Sequence, residues 1–159
     1  MNLSVTIETA TIKLLDRLYE IEKQSFQHEA FSKRLIGYLL KDYNAINLVA
    51  RLDDEIVGFA IGRIEEEGGM IYGHVFTLET LPPYRHKGVG QKLLRLLEEM
   101  FSERGAVESR LEVREDNAAA IGLYLKLGYE KAGKIEGYYG NAAGLFFKKS
   151  LFSKLCAKP

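Results

Sequence analysis

The spacing between apolar residues changes from segment to segment along the chain. From Thr11 to Gln24 apolar side chains return every three to four residues, which predicts a helix with Thr11 as its N-cap. Short runs rich in β-branched and aromatic residues, such as Ile46 to Leu52, predict strands. The patterns predict seven strands, 4–9, 46–52, 55–64, 70–78, 109–113, 129–135 and 144–149, and four helices, 11–24, 32–40, 89–104 and 117–127. Ser32 is the candidate N-cap of the second helix. Because helices and strands alternate, the expected fold class is mixed α/β.

The three central strands are joined by short polar connectors. Asp53-Asp54 separates the first two strands, and Glu66-Glu67-Gly68-Gly69 separates the next two. Such residues favour tight hairpins, so this part of the sheet is expected to be an antiparallel meander. The helix that follows carries one apolar stripe, made of Val89, Leu93, Leu96, Leu97, Met100 and Phe101.

Composition favours one globular domain over residues 1–159, with residues 150–159 as a C-terminal tail. The 22 basic residues balance the 22 acidic ones, so no nucleic-acid or membrane partner is expected. The single cysteine, Cys156, has no partner for an internal disulfide. With no export signal or membrane span in the pattern, a cytoplasmic location is expected.

The most distinctive stretch, PYRHKGVGQKLL, starts at Pro83. Pro82 and Pro83 have no N–H to donate and therefore end the preceding strand. Gly88 and Gly90 allow the backbone to approach a ligand closely, and a helix begins at the same point. The unpaired N–H groups of a first helical turn suit a phosphate or pyrophosphate.

Three basic side chains precede these glycines, namely Arg85, His86 and Lys87. They add positive charge for a polyanionic ligand. The alternative is that the glycines only permit tight strand-to-helix packing and the bases form a solvated rim. The spacing differs from the glycine patterns of dinucleotide-binding and phosphate-binding loops, so those two site types are excluded.

The stretch does match R-x-x-G-x-G over residues 85–90, which resembles the acyl-CoA pyrophosphate motif of the GNAT superfamily of N-acetyltransferases. Residues 111–129, LEVREDNAAAIGLYLKLGY, are similar to the family block LEVRxxNxxAIxLYxKxGF. Gly73 to Leu78 and Gly137 to Tyr139 resemble the fourth strand and the late GYY loop of N-terminal acetyltransferases. The closest likeness is to RimI-like and archaeal N-alpha-acetyltransferases.

The resemblance implies a GNAT fold, with a twisted, mostly antiparallel mixed sheet of about seven strands and about four helices. It also implies transfer of acetyl from acetyl-CoA to a protein or peptide N-terminus, without a covalent enzyme intermediate and without a metal. The implied assembly is a monomer or a weak homodimer.

The resemblance also implies where acetyl-CoA binds. Backbone amides from His86 to Gly90 would hold the pyrophosphate, and backbone groups of Leu78 and Thr80 would pair with the pantetheine arm. Glu79, between them, departs from the small or apolar residue usual in the family, and its side chain is expected to point away from the cosubstrate. The full set of implied binding residues is Leu78, Thr80, Arg85, His86, Lys87, Gly88, Val89, Gly90, Asn117, Tyr124 and Lys126. Asn117 and Lys126 have the alternative roles of an ordinary helix cap and a surface charge.

Two residues resemble the general bases of these enzymes. His74 on the fourth strand and Glu112 on the fifth would each assist deprotonation of an α-amine, and the choice between them is open. Tyr124, twelve residues after Glu112, would protonate the departing thiolate. The alternatives are a half-buried structural histidine, a salt-bridge glutamate and a core tyrosine.

The acceptor is expected to bind between two loops, at Glu29, Phe31, Tyr138 and Tyr139. The first loop lacks the proline of the RimI-like F-x-x-P-W motif, so the preferred first residue is open. Two other functions remain: acetylation of a small amine such as a polyamine or aminoglycoside, and a regulatory module that binds acyl-CoA without turnover.

Overall fold

The computed structural model describes residues 3–25 and 30–151. The strands are β1 Thr6–Thr9, β2 Ala45–Leu52, β3 Glu55–Glu67, β4 Met70–Thr80, β5 Glu108–Arg114, β6 Glu130–Ile135 and β7 Gly144–Ser150. The helices are α1 Leu15–Ser25, α2 Lys33–Lys41, α3 Val89–Glu103 and α4 Ala118–Lys126, with short 3₁₀ turns at Ile12–Leu14 and Pro82–Tyr84.

The seven strands form one sheet in the order β1-β2-β3-β4-β5-β7-β6. The pairs β1–β2, β2–β3, β5–β7 and β6–β7 are antiparallel. Strands β4 and β5 run parallel, with Gly73 opposite Ser109 and Val75 opposite Leu111. The predicted fold class, a mixed and mostly antiparallel sheet with about four helices, is therefore confirmed.

Internal contacts divide the chain into two compact units. The first contains Met1–Arg63 and Thr77–Leu97, and the second contains Ile64–Phe76 and Glu98–Pro159. The single domain expected for residues 1–159 stays a prediction. Its expected tail lies mostly outside the described residues, which end at residue 151, and Cys156 falls there as well.

The first unit packs α1 and α2 through fully buried side chains, and β2 is buried over six consecutive residues. Ser32 caps α2 as the pattern predicts, because its hydroxyl accepts the amide of Leu35 at 3.1 Å. The helical core residues are Leu18, Ile21, Ile36 and Leu39, none more than 1% exposed.

The predicted start of the first helix was wrong. Thr11 makes no side-chain capping hydrogen bond, and a 3₁₀ turn over Ile12–Leu14 precedes α1. The amide of Leu14 bonds the carbonyl of Thr11 at 2.9 Å, so the first turn closes three residues back instead of four. The apolar period of a 3₁₀ turn is close enough to that of an α-helix that sequence alone does not separate them.

Two carboxylic side chains are buried together in the first unit. Glu22 on α1 and Glu79 on β4 are 1% and 4% exposed, and the hydroxyl of Thr77 lies 2.9 Å from Glu22 Oε1 and 3.3 Å from Glu79 Oε2. A hydroxyl has one hydrogen and can donate to one carboxylate only. The second contact is a hydrogen bond only when one carboxyl is protonated, so we assign a proton to Glu79. Burial, and then the charge of Glu22, raise the pKa of Glu79 to about 8, although Arg85 acts in the opposite direction.

The second unit is held by a buried polar chain next to its apolar core. The hydroxyls of Ser109 and Tyr129 lie 2.7 Å apart, and Tyr129 donates to Glu98 at 2.8 Å. Lys149 donates to the other oxygen of Glu98, also at 2.8 Å. The chain links α3, β5 and β7, and every buried polar group in it has a partner.

One glycine sets how closely α3 approaches β4 in this unit. A Cβ at Gly73 would lie 2.1 Å from Phe101 Cδ2, and Phe101 is fully buried. The residue before His74 is therefore a glycine for reasons of space.

None of the helices in residues 3–25 and 30–151 is long and apolar enough to span a membrane.

Gly73→Ala should lower the free energy of unfolding by about 1–3 kcal/mol, because the new Cβ would displace the fully buried ring of Phe101. Gly122→Ala is the matched control, since no described atom lies within 4 Å of a Cβ there. On helix α4 that alanine should stabilise by about 0.5–1 kcal/mol. Urea unfolding measures both, and equal midpoints for Gly73→Ala and wild type would contradict the packing argument.

Glu79→Gln should remove a pH dependence of stability. The pKa of Glu79 is raised from 4.5 to about 8 by folding, so the unfolded chain loses this proton first as pH rises. The free energy of unfolding of the wild type should therefore fall between those pH values, by up to about 1.4 kcal/mol per pH unit. The free energy of unfolding of Glu79→Gln should lack this decrease, so its difference from wild type should change with pH by that amount. Unfolding curves from pH 5 to 9 test this. Glu99→Gln removes one charge from an exposed position as the control, and a wild type to Glu79→Gln difference independent of pH would refute the protonated carboxyl.

Candidate active site

The loop at residues 85–90 lies in the first unit and has an unusual backbone. His86 and Gly88 have positive φ angles of 61° and 85°, and α3 begins at the next residue, Val89. The amide of Leu3 donates to the carbonyl of Lys87 at 2.9 Å, which holds the loop from outside. The conformation turns the chain into the first turn of α3, where unpaired amides are available to an anion.

The side chain of Arg85 is held by a hydrogen bond to the backbone of β4. Its Nε donates to the carbonyl oxygen of Thr80 at 2.9 Å, so one of the two backbone groups of Thr80 is already occupied. Leu78 and Thr80 are half-buried and alternate with Glu79, which is buried on the other face of β4. Val89 is 1% exposed, so its side chain belongs to the core and only its backbone remains for a ligand.

In the second unit the two candidate bases are in direct contact. His74 Nε2 lies 2.8 Å from Glu112 Oε1, and the two side chains are 23% and 20% exposed. His74 comes from β4 and Glu112 from β5, the two strands that run parallel. The sequence left the choice between these residues open, and the structure joins them by one hydrogen bond.

A second carboxylate contacts the opposite side of the histidine ring. Glu65 Oε1 lies 3.1 Å from His74 Nδ1 and accepts the hydroxyl of Tyr72 at 3.0 Å. Burial lowers the pKa of His74, but hydrogen bonds and charges from Glu112 and Glu65 outweigh it and raise that pKa above its usual value. The imidazole is therefore held between two carboxylates in a partly dehydrated site.

Tyr72, His74 and Glu112 line a cavity of about 480 Å³. Its wall combines acidic, basic and aromatic groups: Met70, Tyr72, His74, Glu108, Arg110, Leu111, Glu112, Ala132, Phe146, Phe147 and Lys148. A cavity in which polar groups converge between apolar and aromatic side chains suits a small molecule or a peptide end.

The two tyrosines of the β6–β7 connection pack against each other beside β7. The rings of Tyr138 and Tyr139 meet edge to face at 4.9 Å, and Tyr138 meets Phe146 in the same way at 5.5 Å. A Cβ at Gly144 would lie 2.7 Å from the Tyr138 ring. Burial, and then the charge of Glu112, raise the pKa of Tyr138, so its hydroxyl stays protonated beside the carboxylate.

The remaining candidates of this unit lie on α4. Asn117 caps the helix, and its Oδ1 accepts the amide of Ala120 at 3.1 Å, which leaves its amide nitrogen for other contacts. Tyr124 is 8% exposed and packs against the rings of Tyr129 and Phe147. Lys126 is exposed in the last turn, at the opposite end of α4 from Asn117.

The candidates of the first loop are only partly visible. Glu29 lies outside the described residues. Phe31 is half-buried, and its amide donates to Glu22 Oε2 at 3.1 Å, so the buried carboxylate of α1 holds the chain where that loop ends. Within the described ranges, no group of three or more His, Cys, Asp or Glu side chains is arranged to hold a metal ion.

Sequence reasoning missed Glu65. The residue sits in the run Glu65-Glu66-Glu67, which reads as solvated charge ahead of a turn. The available signal was the hairpin, because the turn at Gly68-Gly69 folds Glu65 back beside Tyr72, and His74 is next on that face of β4.

Comparison with known proteins gives a family match over most of the chain. Residues 13–129 match the model described as the acetyltransferase (GNAT) family. An N-alpha-acetyltransferase of Saccharolobus solfataricus is 31% identical over 145 residues, which cover 86% of each chain. A [ribosomal protein bS18]-alanine N-acetyltransferase of Salmonella typhimurium is 31% identical over 139 residues, with 87% of this chain and 90% of the relative covered.

Solved structures agree with this match. Arabidopsis thaliana Naa50 in complex with the bisubstrate analogue CoA-Ac-MVNAL superposes with a TM-score of 0.80. The two sequences are 26% identical, and the match covers 94% of this chain and 100% of the other.

Proposed function

The chain belongs to the GNAT family of acetyltransferases, and we propose that it acetylates the N-terminal α-amine of proteins or peptides. Its cosubstrate is acetyl-CoA, and its reaction is acetyl transfer. Relatives that carry an N-alpha-acetyltransferase name and align over most of both chains support the choice of acceptor.

The observation that carries the proposal is the 2.8 Å contact between His74 and Glu112 in the cavity wall. An α-amine has a reference pKa of about 7.7–8.0, so much of it is protonated at neutral pH and must lose a proton before it attacks. Glu112, held by His74, receives that proton directly or through one water. The negative site also attracts the α-ammonium group before the reaction.

The freed amine nitrogen then attacks the thioester carbonyl carbon and forms a tetrahedral intermediate. The Leu78 amide stabilises the negative oxygen of that intermediate. When the intermediate collapses, the carbon–sulfur bond breaks, and the hydroxyl of Tyr124 supplies a proton to the CoA thiolate. The attacking nitrogen releases its extra proton to solvent, and solvent returns a proton to Tyr124. No covalent enzyme intermediate is needed, because the amine is itself the nucleophile.

The loop at residues 85–90 binds the pyrophosphate of acetyl-CoA through its amides. Positive φ at His86 and Gly88 and the bond from Leu3 to Lys87 hold the loop before the ligand arrives. Such preorganisation reduces the ordering cost of binding. Asn117, Lys126 and Arg85 complete the set, with Arg85 also bonded to Thr80.

Tyr138 and Tyr139 bind the peptide backbone of the acceptor. The position of Tyr138 supports this role, because its ring packs against Phe146, which lies opposite Glu112 in the β5–β7 pairing. Glu29 and Phe31 contribute from the other loop, where Phe31 is anchored through its backbone by Glu22.

CoA release should be confined to acceptors with a free N-terminus. The assay compares a peptide panel varied at residue one, the same peptides with blocked N-termini and an internal lysine, and spermidine. Turnover on blocked lysine peptides or on spermidine would overturn the acceptor while keeping the chemistry. Acetyl-CoA binding without turnover on any acceptor would instead favour a regulatory module.

Glu112→Gln should lower kcat by about 10²–10⁴, the usual contribution of a positioned base. Acetyl-CoA affinity should stay within error of wild type, since the change leaves the loop at residues 85–90 intact. Glu130→Gln, at an exposed position on β6, is the charge-matched control. An unchanged kcat in Glu112→Gln would remove Glu112 from the mechanism.

A further inference from the structure

We propose that Glu65 is a positioning residue for acetyl transfer: it fixes His74 as an imidazolium cation and thereby makes Glu112, not His74, the base. The inference rests on the proposed function, and it decides between the two residues that the sequence left as alternatives. It is carried by the geometry on both sides of the histidine ring.

Both ring nitrogens of His74 face a carboxylate oxygen at hydrogen-bond distance. Nδ1 lies 3.1 Å from Glu65 and Nε2 lies 2.8 Å from Glu112. A neutral imidazole carries one N–H and one lone pair, so it can donate to only one of these oxygens. With both carboxyl groups ionised, both contacts are hydrogen bonds only when the ring carries two N–H groups and a positive charge.

An imidazolium ion has no lone pair and cannot accept the proton of an incoming amine. It holds Glu112 through Oε1 and leaves the second oxygen, Oε2, to receive the proton. The cation also balances one of the two negative charges in a partly buried site, and the three groups together keep a charge of −1. That charge suits an α-ammonium substrate.

Glu65 is itself fixed by neighbours from two strands. Tyr72 donates its hydroxyl to Glu65 Oε1 at 3.0 Å, and burial together with that bond raises the pKa of Tyr72, so the donor is retained. The guanidinium of Arg110 lies 3.9 Å from the centre of the Tyr72 ring. Arg110 is tied in turn to Glu67 at 2.8 Å and to Glu108 at 2.5 Å.

The arrangement predicts how one conservative change should act. In Glu65→Gln the amide oxygen still accepts from Nδ1, but the negative charge that favours the cation is gone. His74 then becomes neutral at a lower pH, and its Nε2 lone pair faces Glu112 Oε1 without a hydrogen between them. Glu112 loses its anchor, so acetyl transfer should slow where the ring is neutral.

The first measurement is the pKa of His74 by NMR of the imidazole nitrogens in wild type, Glu65→Gln, Glu65→Asp and Glu66→Gln. Glu65→Gln should lower it by roughly one unit, and Glu65→Asp, which keeps the charge on a shorter side chain, should lower it less. Glu66→Gln, the exposed neighbour, should not change it. An equal His74 pKa in Glu65→Gln and wild type overturns the proposal, whichever acceptor the enzyme uses.

The second measurement is kcat against pH with the preferred acceptor of the panel. The ratio of the wild-type kcat to the Glu65→Gln kcat should rise by about tenfold between pH 5.5 and 8. At the lower pH His74 is cationic in both proteins, whereas at the higher pH the cation is retained more in wild type than in the variant. A ratio that is constant over this range identifies Glu65 as merely structural. If no acceptor is turned over, the NMR comparison still tests the imidazolium, so the two failures are distinguishable.

Discussion

The hydrogen bond from His74 to Glu112 depends on two adjacent strands running in the same direction. Side chains of one parity then lie on one face of both β4 and β5, and the register of three paired residues brings His74 beside Glu112. Gly73 keeps α3 close to β4 behind this face, through Phe101. Ser109, bonded to Tyr129, holds β5 from the same side. The packing behind β4 and β5 thus fixes the strand positions on which the 2.8 Å contact between His74 and Glu112 depends.

Two pairs of carboxyl groups differ in how their charge is compensated, one pair buried and the other half-buried. Thr77 has only one hydrogen to share between Glu22 and Glu79, and we assign the extra proton to Glu79 because burial and the charge of Glu22 raise its pKa to about 8. Glu65 and Glu112 instead share a cationic ring. The first solution removes charge from the interior and gives a rigid support for Phe31 through Glu22. The second keeps a net negative charge at the cavity, where it attracts a positively charged substrate.

The sequence was sufficient for whatever depends on local period and on turn residues. All seven strands and four helices were predicted within a few residues, because apolar spacing and the glycine and proline positions determine them. Ser32 and Asn117 were correctly predicted as helix caps, since a cap needs only a side-chain oxygen next to the first turn.

The sequence did not predict which titratable side chains carry a proton. Glu79 was expected only to turn away from the cosubstrate, and its partner Glu22 is 57 residues distant in the chain. Whether a carboxyl is charged depends on which groups surround it in three dimensions, and no local pattern encodes that. The same holds for Glu65, whose role is visible only once β3 and β4 have folded back on each other. The sequence was therefore enough to propose candidate catalytic residues, whereas a proposal for their charge states required the structure.

The backbone bond from Leu3 to Lys87 gives the region ahead of β1 an influence far from its place in the chain. That hydrogen bond holds the loop that would bind the pyrophosphate, and it uses a single backbone amide. Anything that pulls residue 3 away, such as a bulky fusion partner or a proteolytic cut just after it, would loosen the loop without touching a single ligand contact. The residence time of the cosubstrate would shorten, and the damage would resemble a mutation in the glycine motif itself.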